Sequence, residues 1–328
     1  MKKITASLVS YLSLTSAAAL AQSSVTMYGN IDLGFERTNN GKGTSYAMNQ
    51  GVLATNKWGF LGKEDLGAGY TVLFQLESGF SPNTGASDVA GAMFNRQSWI
   101  GVQSPFGTFK MGRIKTLLYQ YDYEYLDASG NSMANASYRF FDFFGNRTSN
   151  TIEYSDAAYG FKWAVQHSLG GIAGNSRANS MWAETLAYNI GKAEFLIVNQ
   201  KSYDETGTDS TRATTFGGNY DFGIARFYLA AALDGGPASL KTREYSVGLS
   251  IPVGVAGRFQ TTFVRKQNLS QDHANANLYG FGYVYALSKR TNIYTSWARL
   301  TNGANASYAV SRPGATFSTI NAGIQHLF

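Results

Sequence analysis

Four basic residues stand at the ends of alternating segments. Lys57 opens Lys57-Trp58-Gly59-Phe60, Arg96 precedes Gln97-Ser98-Trp99, Arg113 closes Phe109-Lys110-Met111-Gly112-Arg113, and Arg147 opens Arg147-Thr148-Ser149-Asn150. Between the last two lies the longest connection of the chain, 118–146, which carries Asp122, Glu124, Asp127 and Asp142 among Tyr119, Tyr121, Tyr123, Tyr125, Phe140, Phe141, Phe143 and Phe144. The chemistry open to such a set is electrostatic. Cations fixed on a wall opposite carboxylates on a loop make a transverse field, and rings of charged side chains discriminate between ions.

Covalent chemistry finds little support. The three histidines, His167, His273 and His326, are far apart, there is no cysteine, and no carboxylate spacing suits a metal. No nucleophile elbow or phosphate loop is present, and Gly170-Gly171-Ile172-Ala173-Gly174 reads as a loop tip. The expectation is no enzyme, no cofactor and no metal. The formal charge of +6 is spread one or two residues per strand instead of clustered, which argues against nucleic acid as a partner.

The elements that must hold the charges are strands. Tyr70, Val72, Phe74 and Leu76 share one face against Thr71, Gln75 and Glu77. Phe161, Trp163, Val165 and Leu169 oppose Lys162, Gln166 and Ser168, and Tyr279, Phe281, Tyr283, Tyr285 and Leu287 line a single face. Period two sends alternate residues to opposite sides of a sheet. Segments near 193–201 and 292–300 alternate poorly. Short turns such as Leu66-Gly67-Ala68-Gly69 and Pro105-Phe106-Gly107 alternate with long polar connections, the arrangement of an outer-membrane barrel. The count predicts an all-β, 16-stranded antiparallel transmembrane β-barrel, wide enough for an aqueous lumen. A soluble sandwich or propeller fits worse, because these segments run to about ten residues, the length of a tilted membrane-crossing strand, and no blade repeat is visible.

Strand parity then orients the charges. Trp58 and Phe60 mark the lipid side, so Lys57 and Lys63 face the lumen, and Trp99 is read as lipid-facing with Arg96 turned inward. A charge facing lipid costs about 2–4 kcal/mol at the midplane, so these residues need water whatever their role. A loop so rich in aromatics is unstable in solvent, and the expectation is that the third loop folds into the lumen and narrows it. The alternative is that it covers the outer rim.

Residues 1–21, with Lys2 and Lys3, an apolar middle and Ala19-Leu20-Ala21, read as a cleaved signal peptide, leaving 22–328 as one barrel with a charge of +4. Thr316 to Phe328 is expected to pair with Val25 to Arg37, since a sheet in lipid cannot leave an edge.

Several short motifs, in this order and spacing, resemble the Gram-negative trimeric general diffusion porins of the neisserial and β-proteobacterial type. They are Ser24-Val25-Thr26-Met27-Tyr28-Gly29, Gly62-Lys63-Glu64-Asp65-Leu66-Gly67, Phe106-Gly107-Thr108, Met111-Gly112-Arg113, Arg147-Thr148-Ser149-Asn150 and Gly323-Ile324-Gln325-His326-Leu327-Phe328. The resemblance implies a homotrimer in the bacterial outer membrane, a third loop in the pore, and a constriction with a basic wall at Lys57, Arg96, Arg113 and Arg147. It also implies that Phe328 is read by the assembly machinery. Two departures stand out: Lys57 occupies a position where Arg is usual, and the third loop lacks the usual Pro-Glu-Phe-Gly-Gly stretch. The acidic partners are therefore not fixed by matching, and Asp122, Glu124 and Asp127 are the candidates. Small residues on the end strands, Gly29, Gly34, Ala322 and Gly323, are expected to allow close approach between protomers. The function expected is passive diffusion of small hydrophilic solutes and ions, with a modest preference for anions. The competing expectations are a solute-specific channel, an adhesin or receptor barrel using its outer loops, and a barrel hydrolase.

Overall fold

The computed structural model describes residues 23–128 and 145–328. The proposed signal peptide and residues 129–144 of the third loop lie outside the described residues, as do the side chains of Asn49, Asp122, Tyr123 and Glu124. The alternating segments form β1 (Ser24–Asn39), β2 (Thr44–Gln50), β3 (Lys57–Gly67), β4 (Tyr70–Ser81), β5 (Ala86–Ser87), β6 (Gln97–Ser104) and β7 (Gly107–Lys115). Helix α1 (Leu117–Tyr125) follows, then β8 (Arg147–Ala158), β9 (Phe161–Ser168), β10 (Met181–Ile190), β11 (Ala193–Tyr203), β12 (Ser210–Asp221) and β13 (Arg226–Gly235). The chain closes with β14 (Lys241–Val253), β15 (Gly257–Asn268), β16 (Ala276–Ala286), β17 (Thr291–Asn302) and β18 (Thr316–Leu327).

These eighteen segments make sixteen staves. β2 and β3 both pair with β1, one above the other, so together they are a single interrupted stave. β5 makes only a two-residue bridge to β4 inside the second loop. All pairings are antiparallel, and the ring closes where β1 meets β18, from Asn30↔Leu327 to Asn39↔Ser318. Gly29 and Phe328 extend that seam by exchanging backbone hydrogen bonds of 3.0 and 3.1 Å. The Phe328 ring lies on Gly29 so closely that a Cβ there would stand 2.1 Å from it. Closure leaves no unpaired edge, which is what a sheet needs where no water is available to satisfy its backbone.

The two faces differ as period two requires. Trp182, Leu186, Phe195, Ile197, Phe216 and Leu229 point outward, half-exposed, while Ala183, Thr185, Ala187, Val198, Thr215 and Ala230 on the same strands are buried on the inner side. Aromatic pairs decorate the outer wall: Phe161 stacks on Tyr188 at 4.3 Å and His167 on Trp182 at 3.9 Å. Such amphipathic rings suit the boundary between hydrocarbon and water. Gly34 pairs with Gly323, and both share the inner parity of Asp32 and Tyr294. With Gly29 covered by Phe328, Ala322 is the one residue of the four singled out for protomer contact that stays open on the outer wall.

Candidate pore constriction

The third loop enters against a seat prepared for it. Leu117, Leu118, Tyr121, Tyr125 and Leu126 are buried against Ala164, Met181, Ala183, Ala187, Leu196, Val198, Ala213 and Ala230, all inner-face residues of β9 to β13. Burying each of the larger side chains contributes about 1.5–3 kcal/mol. Inward-facing amides of the wall satisfy the backbone of the segment. Gln166 Oε1 accepts from Leu117 N at 3.1 Å, Asn219 Nδ2 donates to the Tyr125 carbonyl at 3.0 Å, and Gln260 Nε2 donates to the Ala128 carbonyl at 2.7 Å. The described part of the loop thus runs along the inner wall from β9 to β15. The poor alternation at 193–201 now has a cause: Leu196 and Val198 are apolar on the inner face because they carry α1.

Opposite this seat the cations converge. A cavity of about 500 Å³ is lined by Lys57, Arg96, Lys110 and Lys115, together with Trp99, Tyr119, Gln75, Gln97, Gln120, Ala54 and Thr55. Behind it lies Glu77, 2% exposed. Its carboxylate accepts from Arg96 Nε at 2.8 Å and Tyr28 Oη at 2.8 Å, and lies 4.0 Å from Lys57 Nζ. Lys110 pairs with buried Glu153 at 2.7 Å. The Arg147 guanidinium sits 5.6 Å from the centre of the Tyr119 ring, and its Nε and Nη2 are buried with no hydrogen-bond partner among the described residues. Lone buried donors of this kind are costly unless something visits them.

Of the four wall cations expected from the sequence, Lys57 and Arg96 line this cavity, and Arg147 stands behind it, against the cavity-lining Tyr119 and paired across the ladder with Lys115. Arg113 takes a different course. The ladder between β7 and β8 slips by one residue after Gly112, with Asn150 at φ +53°, and Arg113 pairs with Ser98, one step out of the inner parity of Trp99 and Gly112. Its guanidinium is held by the Asn95 carbonyl at 2.6 Å and Ser149 Oγ at 2.8 Å. Trp99 itself faces the lumen, contrary to the sequence reading, since its partner Gln75 is on the inner face and Lys110 Nζ lies 5.3 Å over its ring. Arg96 points inward nonetheless because it precedes the strand and reaches Glu77 directly. On the loop, Asp127 is buried on the far side, in electrostatic contact with Tyr228, and does not line the cavity. The side chains of Asp122 and Glu124 lie outside the described residues. Glu77, Glu153, Lys110 and Lys115 were not singled out in the sequence. For Glu77 and Glu153 the available signal was a carboxylate on the polar parity of a strand, a position that costs stability unless a cation faces it.

A profile of the Gram-negative porin family matches residues 5–305 of the chain. An outer membrane porin protein of Bordetella pertussis is 28% identical, the alignment covering 95% of this chain and 96% of that one. Outer membrane porin protein 32 of Delftia acidovorans is also 28% identical, over 94% and 92%. Among solved structures, an anion-selective porin from Comamonas acidovorans superposes with a TM-score of 0.77 at 23% identity, covering 94% of this chain and all of that one. OmpT of Vibrio cholerae, in its trimer form, gives 0.72 at 12% identity, over 93% and 99%. A closed sixteen-stave barrel with an apolar outer wall, a polar interior and a family match over most of its length has one consistent reading. The chain belongs to the Gram-negative porin family and is a channel of the outer membrane, not an enzyme, through which small hydrophilic solutes and ions diffuse passively.

Proposed function

We propose that the constriction gives this porin a preference for anions, with Lys57, Arg96 and Arg147, joined by Lys110 and Lys115, as its basic wall. The observation that carries the reading is the charge balance at the cavity. Among the described residues, these five cations face Glu77 and Glu153, with Asp88 beside the Arg96 side chain as a third carboxylate. An excess of this sign at a narrow, partly dehydrated passage is screened less than on an open surface, and basic rings favour anions. The likeness to a porin described as anion-selective supports it. In a planar bilayer under a potassium chloride gradient, the reversal potential should lie on the anion side and move toward zero as salt is raised. Cation selectivity at low salt would refute the assignment.

The loop carboxylates Asp122 and Glu124 remain candidates to face this wall, and Asp127, buried beside Tyr228, does not line the cavity. The working unit is proposed to be a homotrimer. Phe35 and Tyr46, 74% and 78% exposed beside the seam, offer an apolar surface for a neighbouring protomer, and a structural relative forms trimers. A band of three times the monomer mass that resists SDS supports this; a strictly monomeric particle in mild detergent refutes it. Phe328 is proposed as the residue read by the assembly machinery.

A further inference from the structure

Among the described residues, the second stave is the one place where the wall breaks its ladder by more than a single residue. β1 pairs with β2 from Leu33↔Gln50 to Asn39↔Thr44, and with β3 from Ser24↔Lys63 to Asn30↔Lys57. Between these runs β1 uses two residues, Ile31 and Asp32, while its partner uses the six at 51–56, so four are surplus. The surplus turns inward. Val52, 1% exposed, packs with Val284, Tyr294 and Leu53, while Ala54 and Thr55 reach the cationic cavity, whose loop side is Tyr119 and Gln120.

This bulge is clamped, not loose. Asp32, fully buried, accepts from Leu53 N at 2.6 Å, Ala54 N at 3.0 Å and Tyr294 Oη at 2.5 Å. Its own backbone carbonyl accepts from Gly51 N at 3.1 Å, and Asn30 Nδ2 donates to the Ala54 carbonyl at 2.8 Å. Asn56 Oδ1 accepts from Asp32 N, and the Asn56 carbonyl accepts from Phe80 N at 3.4 Å. Tyr294 can lean over its strand partner only because that partner is Gly323, where a Cβ would stand 2.4 Å from the phenol oxygen. A segment whose backbone groups are satisfied holds its shape, and bulges are used to redirect chain toward functional sites.

We propose that the inward bulge at 51–56 is the second jaw of the constriction, facing α1 across the cavity, and that it sets the size cutoff from the wall side. Asp32 is its positioning residue: it touches no permeant solute and acts by holding Leu53 and Ala54 in place. The porin thus narrows its lumen from two directions, by the third loop and by the stave itself.

Deleting residues 52–55 tests this, because it removes the surplus and brings both halves of the stave into one register with β1. The expected result is a higher single-channel conductance, and entry into liposomes of neutral sugars larger than those the parent admits. Neutral sugars carry no charge, so the readout is independent of any anion preference. An assembled, heat-resistant deletion protein with unchanged conductance and sugar cutoff would overturn the proposal. Thr55→Trp, which leaves the Asp32 clamp in place, provides a second arm should the deletion fail to assemble. It should lower conductance and slow the larger sugars first; unchanged values would also overturn it.

Discussion

Arg147 offers the cleanest test of the charge at the constriction. Removing Arg96 would take from buried Glu77 its nearer cation, whereas Arg147 holds no carboxylate among the described residues and touches Tyr119 through its face. Arg147→Gln therefore costs about 2 kcal/mol of desolvated cation–π contact and removes one unit of charge. The cavity of about 500 Å³ is equivalent to a sphere of radius about 5 Å; with roughly 3 Å of contact distance, a wall charge lies about 8 Å from a solute at its centre. Two unit charges at about 8 Å in water interact by about 0.5 kcal/mol. Losing one cation penalises an anion and relieves a cation equally, so the permeability ratio should change by about 1 kcal/mol, roughly fivefold. At 0.1 M salt the Debye length is about 10 Å, which reduces the change to roughly twofold. Reversal potentials measured at about 10 mM and 100 mM salt read both values directly. A shift smaller than about 1.3-fold at the lower salt, where screening is weakest, would refute the placement of Arg147 on the permeation path. A shift independent of salt would refute the electrostatic origin.

Three further outcomes follow from named contacts. Arg113→Gln should change selectivity less than Arg147→Gln, because its guanidinium is committed to the Asn95 carbonyl and Ser149, and an equal or larger change would refute this. Lys266 Nζ lies 2.5 Å from Glu244 Oε1 with both side chains buried; Lys266→Met should cost about 3–5 kcal/mol by stranding the acid, seen as a lower midpoint of heat-induced mobility shift on gels, and adding Glu244→Gln should recover much of the loss. Deleting Phe328 removes two seam hydrogen bonds and the ring over Gly29. It should lower the yield of heat-resistant protein, while unchanged assembly would remove the proposed recognition role.

The architecture was legible in the sequence because a membrane barrel is a local code. Each strand must show lipid one parity and water the other, so Tyr279, Phe281, Tyr283 and Tyr285 announce an outer face without knowledge of any neighbour. The closing pair was legible for the same reason, since lipid forbids an edge. Lys57 and Arg96 were legible as cations turned to the inner side, where the structure sets them at one cavity. What only the tertiary structure decided lies wherever parity fails or the lumen is not wet. Strand β11 and the end of β17 looked irregular because Leu196, Val198 and Leu300 are apolar on the inside, seats for α1 and for Tyr308 of the last loop. Trp99 was read with the wrong neighbours, since its face is lumenal, and Arg113, on the opposite parity of β7 from Lys110, is held by Asn95 and Ser149 beside Arg147. Glu77 as the acid behind the cations, and the bulge clamped by Asp32, join residues 19 to 262 positions apart. Periodicity fixes which way a side chain points along one strand, but register, bulges and inward loops depend on pairings between strands, and those exist only once the barrel has closed.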